Sequence, residues 1–164
     1  MLATSEAPAG LNVRRGRRGD LAALKGIWLA MMRAHAESDA AFALADDCVQ
    51  RWEEITLDLL SRPDAFVLVG VRDLDVLGFC LGWVARNPTI YARSEVGFLS
   101  ELAVAQSARR RGIGRSLMAA AKAWFRARAV TEFQLSTAVW NHPAQALWQA
   151  AGGEPLLVRY RFSC

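Results

Sequence analysis

A chain of 164 residues with 53% hydrophobic composition can build one core without help from a metal or a disulfide. Its three cysteines, Cys48, Cys80 and Cys164, lack paired spacing and are odd in number, which argues against a disulfide framework and a zinc site and for a reducing cytoplasm. The net charge is a modest +4, no apolar run approaches the roughly 18 residues of a membrane span, and no charged-then-apolar leader opens the sequence, so a cytoplasmic protein without membrane or metal is expected.

Residues 1–10 mix Ala, Ser, Pro and Gly without periodicity and are expected to form a flexible tail before a single domain, 11–164. Leu11 to Arg14 suits a short first strand. Asp20 reads as an N-cap, and Leu21, Leu24, Trp28, Met31 and Met32 recur at helical spacing, giving a first helix to about His35. Cys48, Trp52, Ile55 and Leu59 mark one face of a second helix that ends near Pro63. Phe66 to Val71 and Val76 to Val84 are apolar, rich in β-branched and aromatic residues, and joined by the charged turn Arg72-Asp73-Leu74-Asp75, which predicts a hairpin. Asn87-Pro88 is a turn, and Glu95 to Val104 is a third long strand.

Ile113, Leu117, Ala121 and Trp124 then give a third helix with one buried stripe, and Phe133 to Val139 alternates as a strand. Asn141 opens a fourth helix through about Ala151, Gly152-Gly153 ends it, and Leu156 to Phe162 reads as a last strand. The order predicts an α/β (α+β) domain whose mixed, mostly antiparallel sheet carries helices on both faces. Three strands before the third helix form an antiparallel meander, and the strands flanking that helix form a parallel pair.

The stretch Leu102 to Met118, LAVAQSARRRGIGRSLM, carries the chemistry. An apolar strand end meets three consecutive arginines, then Gly112 and Gly114, then the third helix. The first turn of a helix leaves N–H groups unpaired at the positive end of its dipole, and glycines let that backbone approach a ligand, so the junction suits an anion such as phosphate. Charge agrees: ten of the sixteen acidic residues lie between Glu37 and Asp75, whereas the interval between Glu101 and Glu132 contains seven basic residues and no acid. The basic residues are not interleaved with exposed aromatics, which disfavours nucleic acid. The loop lacks the third glycine of a dinucleotide fingerprint and the lysine of a phosphate-binding P-loop.

The pattern Arg109-x-x-Gly112-x-Gly114 between strand and amphipathic helix resembles the acetyl-coenzyme A motif of the GNAT superfamily of N-acetyltransferases. Asn141, Ala144, Leu147 and Gly152 match that family's later Asn-x-x-Ala-x-x-Leu element. The resemblance implies a sheet of about six to seven strands flanked by four helices and splayed between the fourth and fifth strands. It further implies acetyl-CoA as cosubstrate, a primary amine of a small molecule or peptide as acceptor, and a homodimer. Leu102, Ala103, Val104, Arg109, Arg110, Arg111, Gly112, Ile113, Gly114, Arg115, Ser116, Asn141 and Trp148 would then line the coenzyme. The segment from Trp28 to Phe42 corresponds to the family's variable acceptor region.

An alkyl amine has a pKa near about 10, so attack on a thioester benefits from a base. Glu101 resembles the acid that family members use; alternation puts its side chain on the face opposite Leu102 and Val104 unless a bulge intervenes, with a strand-end carboxylate paired to a nearby arginine as the alternative reading. Where many members place a tyrosine as proton donor this chain has Trp148, whose indole N–H is no useful acid. Tyr160 is the one tyrosine after the motif and a candidate donor, or a half-buried aromatic of the last strand. The missing tyrosine also leaves open a non-catalytic acyl-CoA-binding module with the same fold.

Overall fold

The computed structural model describes residues 8–163; most of the expected tail, residues 1–7, and Cys164 lie outside them. Five strands form one sheet in sequence order: β1 (Asn12–Arg15), β2 (Ala65–Arg72), β3 (Asp75–Arg86), β4 (Glu95–Val104) and β5 (Phe133–Gln134). The first four are antiparallel neighbours, and β5 runs parallel to β4. Helices α1 (Leu21–Ser38) and α2 (Cys48–Ser61) precede β2, α3 (Ile113–Arg126) joins β4 to β5, and α4 (His142–Ala150) follows β5.

Period-two alternation in the sheet sorts apolar side chains into two cores. Val67, Val69, Phe79 and Leu81 face Leu24, Trp28, Trp52 and Leu59 of α1 and α2. Phe66, Leu68 and Cys80 face Ile113, Leu117, Ala121 and Phe125 of α3. With helices on both faces, β2 buries every residue from Ala65 to Val71, the continuous apolar run expected of a strand covered on two sides. A fully buried Leu or Phe contributes roughly 1.5–3 kcal/mol, so the five buried residues of α3 hold that helix firmly on the sheet. Close approach depends on glycine: a Cβ at Gly97 would come within 2.5 Å of the Phe125 ring.

Three expectations need correction. Asp20 precedes α1 but its side chain does not cap it. It instead accepts two hydrogen bonds from Arg14, at 2.8 and 2.9 Å, and one from the Arg17 N–H at 2.7 Å. The fifth strand is shorter than Phe133 to Val139, since only Phe133 and Gln134 pair, with Gly97 and Phe98. The sheet of six to seven strands is a sheet of five, because Leu156 to Phe162 forms no ladder. A strand needs a neighbouring edge for its N–H and C=O groups, and this segment runs exposed, tied by an Arg161–Asp39 ion pair.

Candidate active site

β4 ends at Val104, a single helical turn covers Gln106–Ala108, and the chain then bends through the arginines into α3. Two residues of the bend are left-handed, Arg110 at φ 62° and Gly112 at φ 78°. Gly112 is the N-cap of α3, a conformation that costs glycine nothing and strains other residues, and its carbonyl accepts the N–H of Ser116 at 3.0 Å. The backbone N–H groups from Arg110 to Arg115 find no acceptor among the described residues. The loop therefore presents unpaired donors at the positive end of a 14-residue helix.

Arg109, Arg110, Arg111 and Arg115 are exposed, and among the described residues none pairs with a carboxylate. Arg109 Nε donates to the Val104 carbonyl at 3.4 Å, tying the loop back to the strand. A Cβ on Gly114 would meet Leu147 at 3.2 Å, Leu102 at 3.6 Å and Val104 at 3.8 Å, so the loop, the end of β4 and α4 converge there.

Glu101 lies on the other face of β4, for a reason visible in the register. Opposite β3, Leu99 pairs with Gly82 and Glu101 with Leu81, so Ser100 is an extra residue in β4. This bulge inverts the alternation. Before it, Gly97 and Leu99 face α3; after it, Glu101 and Ala103 face α1 and α2 while Leu102 and Val104 face α3.

The side chain of Glu101 is thereby turned into the apolar core under two tryptophans. Trp52 Nε1–H donates to Glu101 Oε2 at 3.0 Å, and the Trp28 ring stacks on Trp52 with centroids 4.9 Å apart. Burial pushes the Glu101 carboxyl above the ordinary carboxylate range, and the neighbouring indole N–H groups of Trp52 and Trp28 partly restore its charged form. Trp28 Nε1 is buried and makes no hydrogen bond with another described group. Among the described residues no arginine pairs with Glu101, so the carboxylate is held by an indole N–H and not by the ion pair of the alternative reading.

Trp28 opens the segment expected to form the acceptor region, whereas Trp52 reads only as the apolar face of the second helix and lies 49 residues from its partner. In the same expected acceptor segment the His35 ring packs edge-on against Trp140 at 5.1 Å and Phe42 at 5.5 Å. His35 Nδ1 donates to the Met31 carbonyl at 2.9 Å, and Nε2 makes no hydrogen bond among the described residues.

Between the two halves of the site the sheet is open. The β4–β5 ladder stops at Phe98, and from Leu99 to Val104 the edge of β4 away from β3 has no strand partner among the described residues. Asn141 caps α4, its side chain accepting the Ala144 N–H at 3.2 Å. Trp148, on α4, packs into the α3-side core with its indole N–H buried and unpartnered. Tyr160 is 76% exposed on the terminal segment and is not gathered into the cluster around Glu101.

Among the described residues no helix is long and apolar enough to cross a membrane, and no group of three or more His, Cys, Asp or Glu could hold a metal ion.

The profile of the acetyltransferase (GNAT) family matches residues 28–152, spanning both halves of the site. The chain is 33% identical over 93 residues to an aminoglycoside N(6')-acetyltransferase type 1 of Klebsiella aerogenes, a match that covers 57% of this chain and 61% of that relative. Its fold is similar to that of a Bacillus halodurans protein solved as a tetramutant, with TM-score 0.81 and 16% identity over 93% of this chain and 99% of that one. It is also similar to an aminoglycoside antibiotic 6'-N-acetyltransferase of Acinetobacter haemolyticus, with TM-score 0.72 and 19% identity over 93% and 97% of the two chains. With the loop, the element order and the family match in agreement, the chain belongs to the acetyltransferase (GNAT) family.

Proposed function

We propose that this protein transfers an acetyl group from acetyl-CoA to a primary amine of a small molecule or peptide. The observation that carries the reading is the placement of two unlike groups on one strand: unpaired N–H donors follow the end of β4, and a buried carboxylate projects from its opposite face. The residues fit the cosubstrate. Backbone N–H groups from Arg110 to Arg115 suit a pyrophosphate without a metal, and the exposed guanidinium groups of Arg109, Arg110, Arg111 and Arg115, none paired with a carboxylate, add charge-assisted contacts. Leu102 to Val104 and Trp148 flank the path of a pantetheine arm along the open β4 edge.

Acetyl-CoA supplies the thioester whose C–S bond breaks as the amine forms a C–N bond. Glu101 is the residue that takes up the amine's proton, directly or through water, and its raised pKa brings it toward neutral pH where that transfer is useful. A thiol near pKa 8.5 is a fair leaving group, so release proceeds without a tyrosine at the position of Trp148. The acceptor enters from the side of α1 and α2, where Glu101, Trp28 and Trp52 lie. Cys48 and Cys80 are free thiols, which suits a reducing cytoplasm.

The test is coenzyme A release over a panel of amines: an aminoglycoside, a polyamine, lysine and a peptide N-terminus. Turnover on at least one supports the reading. Tight acetyl-CoA binding without thiol release on any of them assigns the chain to the non-catalytic module instead.

A further inference from the structure

Five of the ten acids between Glu37 and Asp75 are neutralised by the chain's own cations. Asp39 pairs with Arg161, Asp47 with Arg51, Glu53 with Lys25, and Asp58 and Asp64 both with Arg62. Glu54 accepts a hydrogen bond from the Gln50 side chain at 2.9 Å. Among the described residues no three His, Cys, Asp or Glu gather closely enough to hold a metal ion. The carboxylate beside the buried tryptophans is that of Glu101 alone.

What this side of the molecule offers instead is aromatic and thioether surface. On α1, Trp28, Met31, Met32 and His35 recur at i, i+3, i+4 and i+7, so they lie along one face of the helix. Trp28 and His35 are two turns apart, about 10 Å along the axis. At the far end of that stripe three rings meet nearly edge-on: His35, Phe42 and Trp140, with centroids 5.1–6.0 Å apart and interplanar angles of 63°–86°. All three are half-buried, so the trio is neither closed into a core nor fully in water. Phe42 comes from the short helical turn after α1, whereas Trp140 immediately precedes Asn141, the cap of α4. The rings therefore join the end of α1 to the start of α4.

We propose that the acceptor is a monoamine carried on an aromatic or apolar body, its nitrogen at Glu101 and its body laid along Met31 and Met32 to the rings of His35, Phe42 and Trp140. The inference rests on the acetyl-transfer reading for the place of the nitrogen. Each ammonium that a polycation takes out of water needs a carboxylate or several oxygens as partners, and the described residues bring one carboxylate to the tryptophans. Rings and thioethers gain from covering apolar surface, and a further ring entering the trio adds edge-to-face contacts. A single charge for the carboxylate and an apolar body for the stripe match what this face presents.

The test compares phenylbutylamine with butylamine, spermidine and kanamycin. Calorimetric titration into the chain saturated with coenzyme A reads affinity without turnover, and thiol release from acetyl-CoA reads kcat/KM. Phenylbutylamine is expected to exceed the other three by at least about tenfold in both. Its affinity should change little as salt rises, because one charge is screened instead of several. Phe42→Leu should weaken phenylbutylamine about five- to tenfold, seen as a raised KM, with Trp140→Leu as the second variant if the first misfolds. A preference for spermidine or kanamycin, butylamine equal to phenylbutylamine, no binding of phenylbutylamine, or indifference to both ring substitutions would each overturn the inference, and thiol release from any of the amines would still leave acetyl transfer standing. Phenylbutylamine bound in preference to the rest, with no thiol released, would overturn acetyl transfer and keep the class of amine.

Discussion

The two faces of β4 hold their halves of the site by opposite means. On the α3 side the proposed role belongs to the backbone: unpaired N–H groups and a left-handed glycine stand at the start of a helix, and the neighbouring arginines stand in water. On the α1 and α2 side it belongs to side chains: one carboxylate, buried among aromatic rings and held by an indole from another helix. A backbone site tolerates side-chain exchange and fails when its φ angles are disturbed. A buried side-chain site fails when its charge, donor or packing changes.

The largest effect is expected from Glu101→Gln, which removes the base and keeps the shape. Loss of a general base typically costs about 10²–10⁴-fold in rate, so kcat/KM in the thiol-release assay should fall by that order. Gly112→Val comes next. It forces a β-branched residue to φ 78° at the N-cap of α3, a strain of about 1–3 kcal/mol that the loop relieves by moving its donors. Acetyl-CoA affinity measured by calorimetry should weaken by about tenfold to a hundredfold.

Trp52→Phe keeps an aromatic ring against Trp28 but deletes the N–H that favours the Glu101 carboxylate. The carboxyl pKa then rises further, and since the base must be ionised, the acid limb of the kcat/KM profile should move to higher pH. A limb that stays in place shows that Trp52 is packing alone. Smaller again is the loss of one exposed arginine: Arg111→Ala should weaken acetyl-CoA about two- to fivefold at low salt and less at high salt, because exposed charges are screened.

Stability supplies a last distinction. The folded-state pKa of Glu101 is raised above its unfolded value, so its contribution is fully present below the unfolded pKa and is lost as pH rises through the folded one. Melting curves between pH 5 and 8 should show Glu101→Gln gaining on the parent chain as pH increases. The reverse trend would mean that the indole donors outweigh the cost of burial and hold the carboxylate charged.

The same asymmetry decides what the sequence discloses. Gly112, Gly114 and the arginines sit within one strand-to-helix junction, so their spacing alone indicates the anion site. The meander, the four helices and the parallel β4–β5 pair are also local patterns or short-range connection rules, and they are present in the structure. The partners of Glu101 are a different matter. Trp28, inside the expected acceptor segment, and Trp52 both recur at apolar helix positions, and only the packing of those helices on β4 brings the Trp52 N–H onto a carboxylate. The bulge at Ser100 has no signature in the residues around it, although it determines that Leu99 and Glu101 face opposite ways. Leu156–Phe162 shows the converse: its alternation is legible, but a strand exists only where an edge receives it.

The most direct test of a site split across β4 is calorimetric titration of acetyl-CoA into Glu101→Gln and Gly112→Val side by side. The predicted result is a dissociation constant within about twofold of the parent for Glu101→Gln, with at least about tenfold weakening for Gly112→Val. Equal weakening in both, or undiminished binding by Gly112→Val, would contradict the assignment of donor and base to opposite faces of one strand.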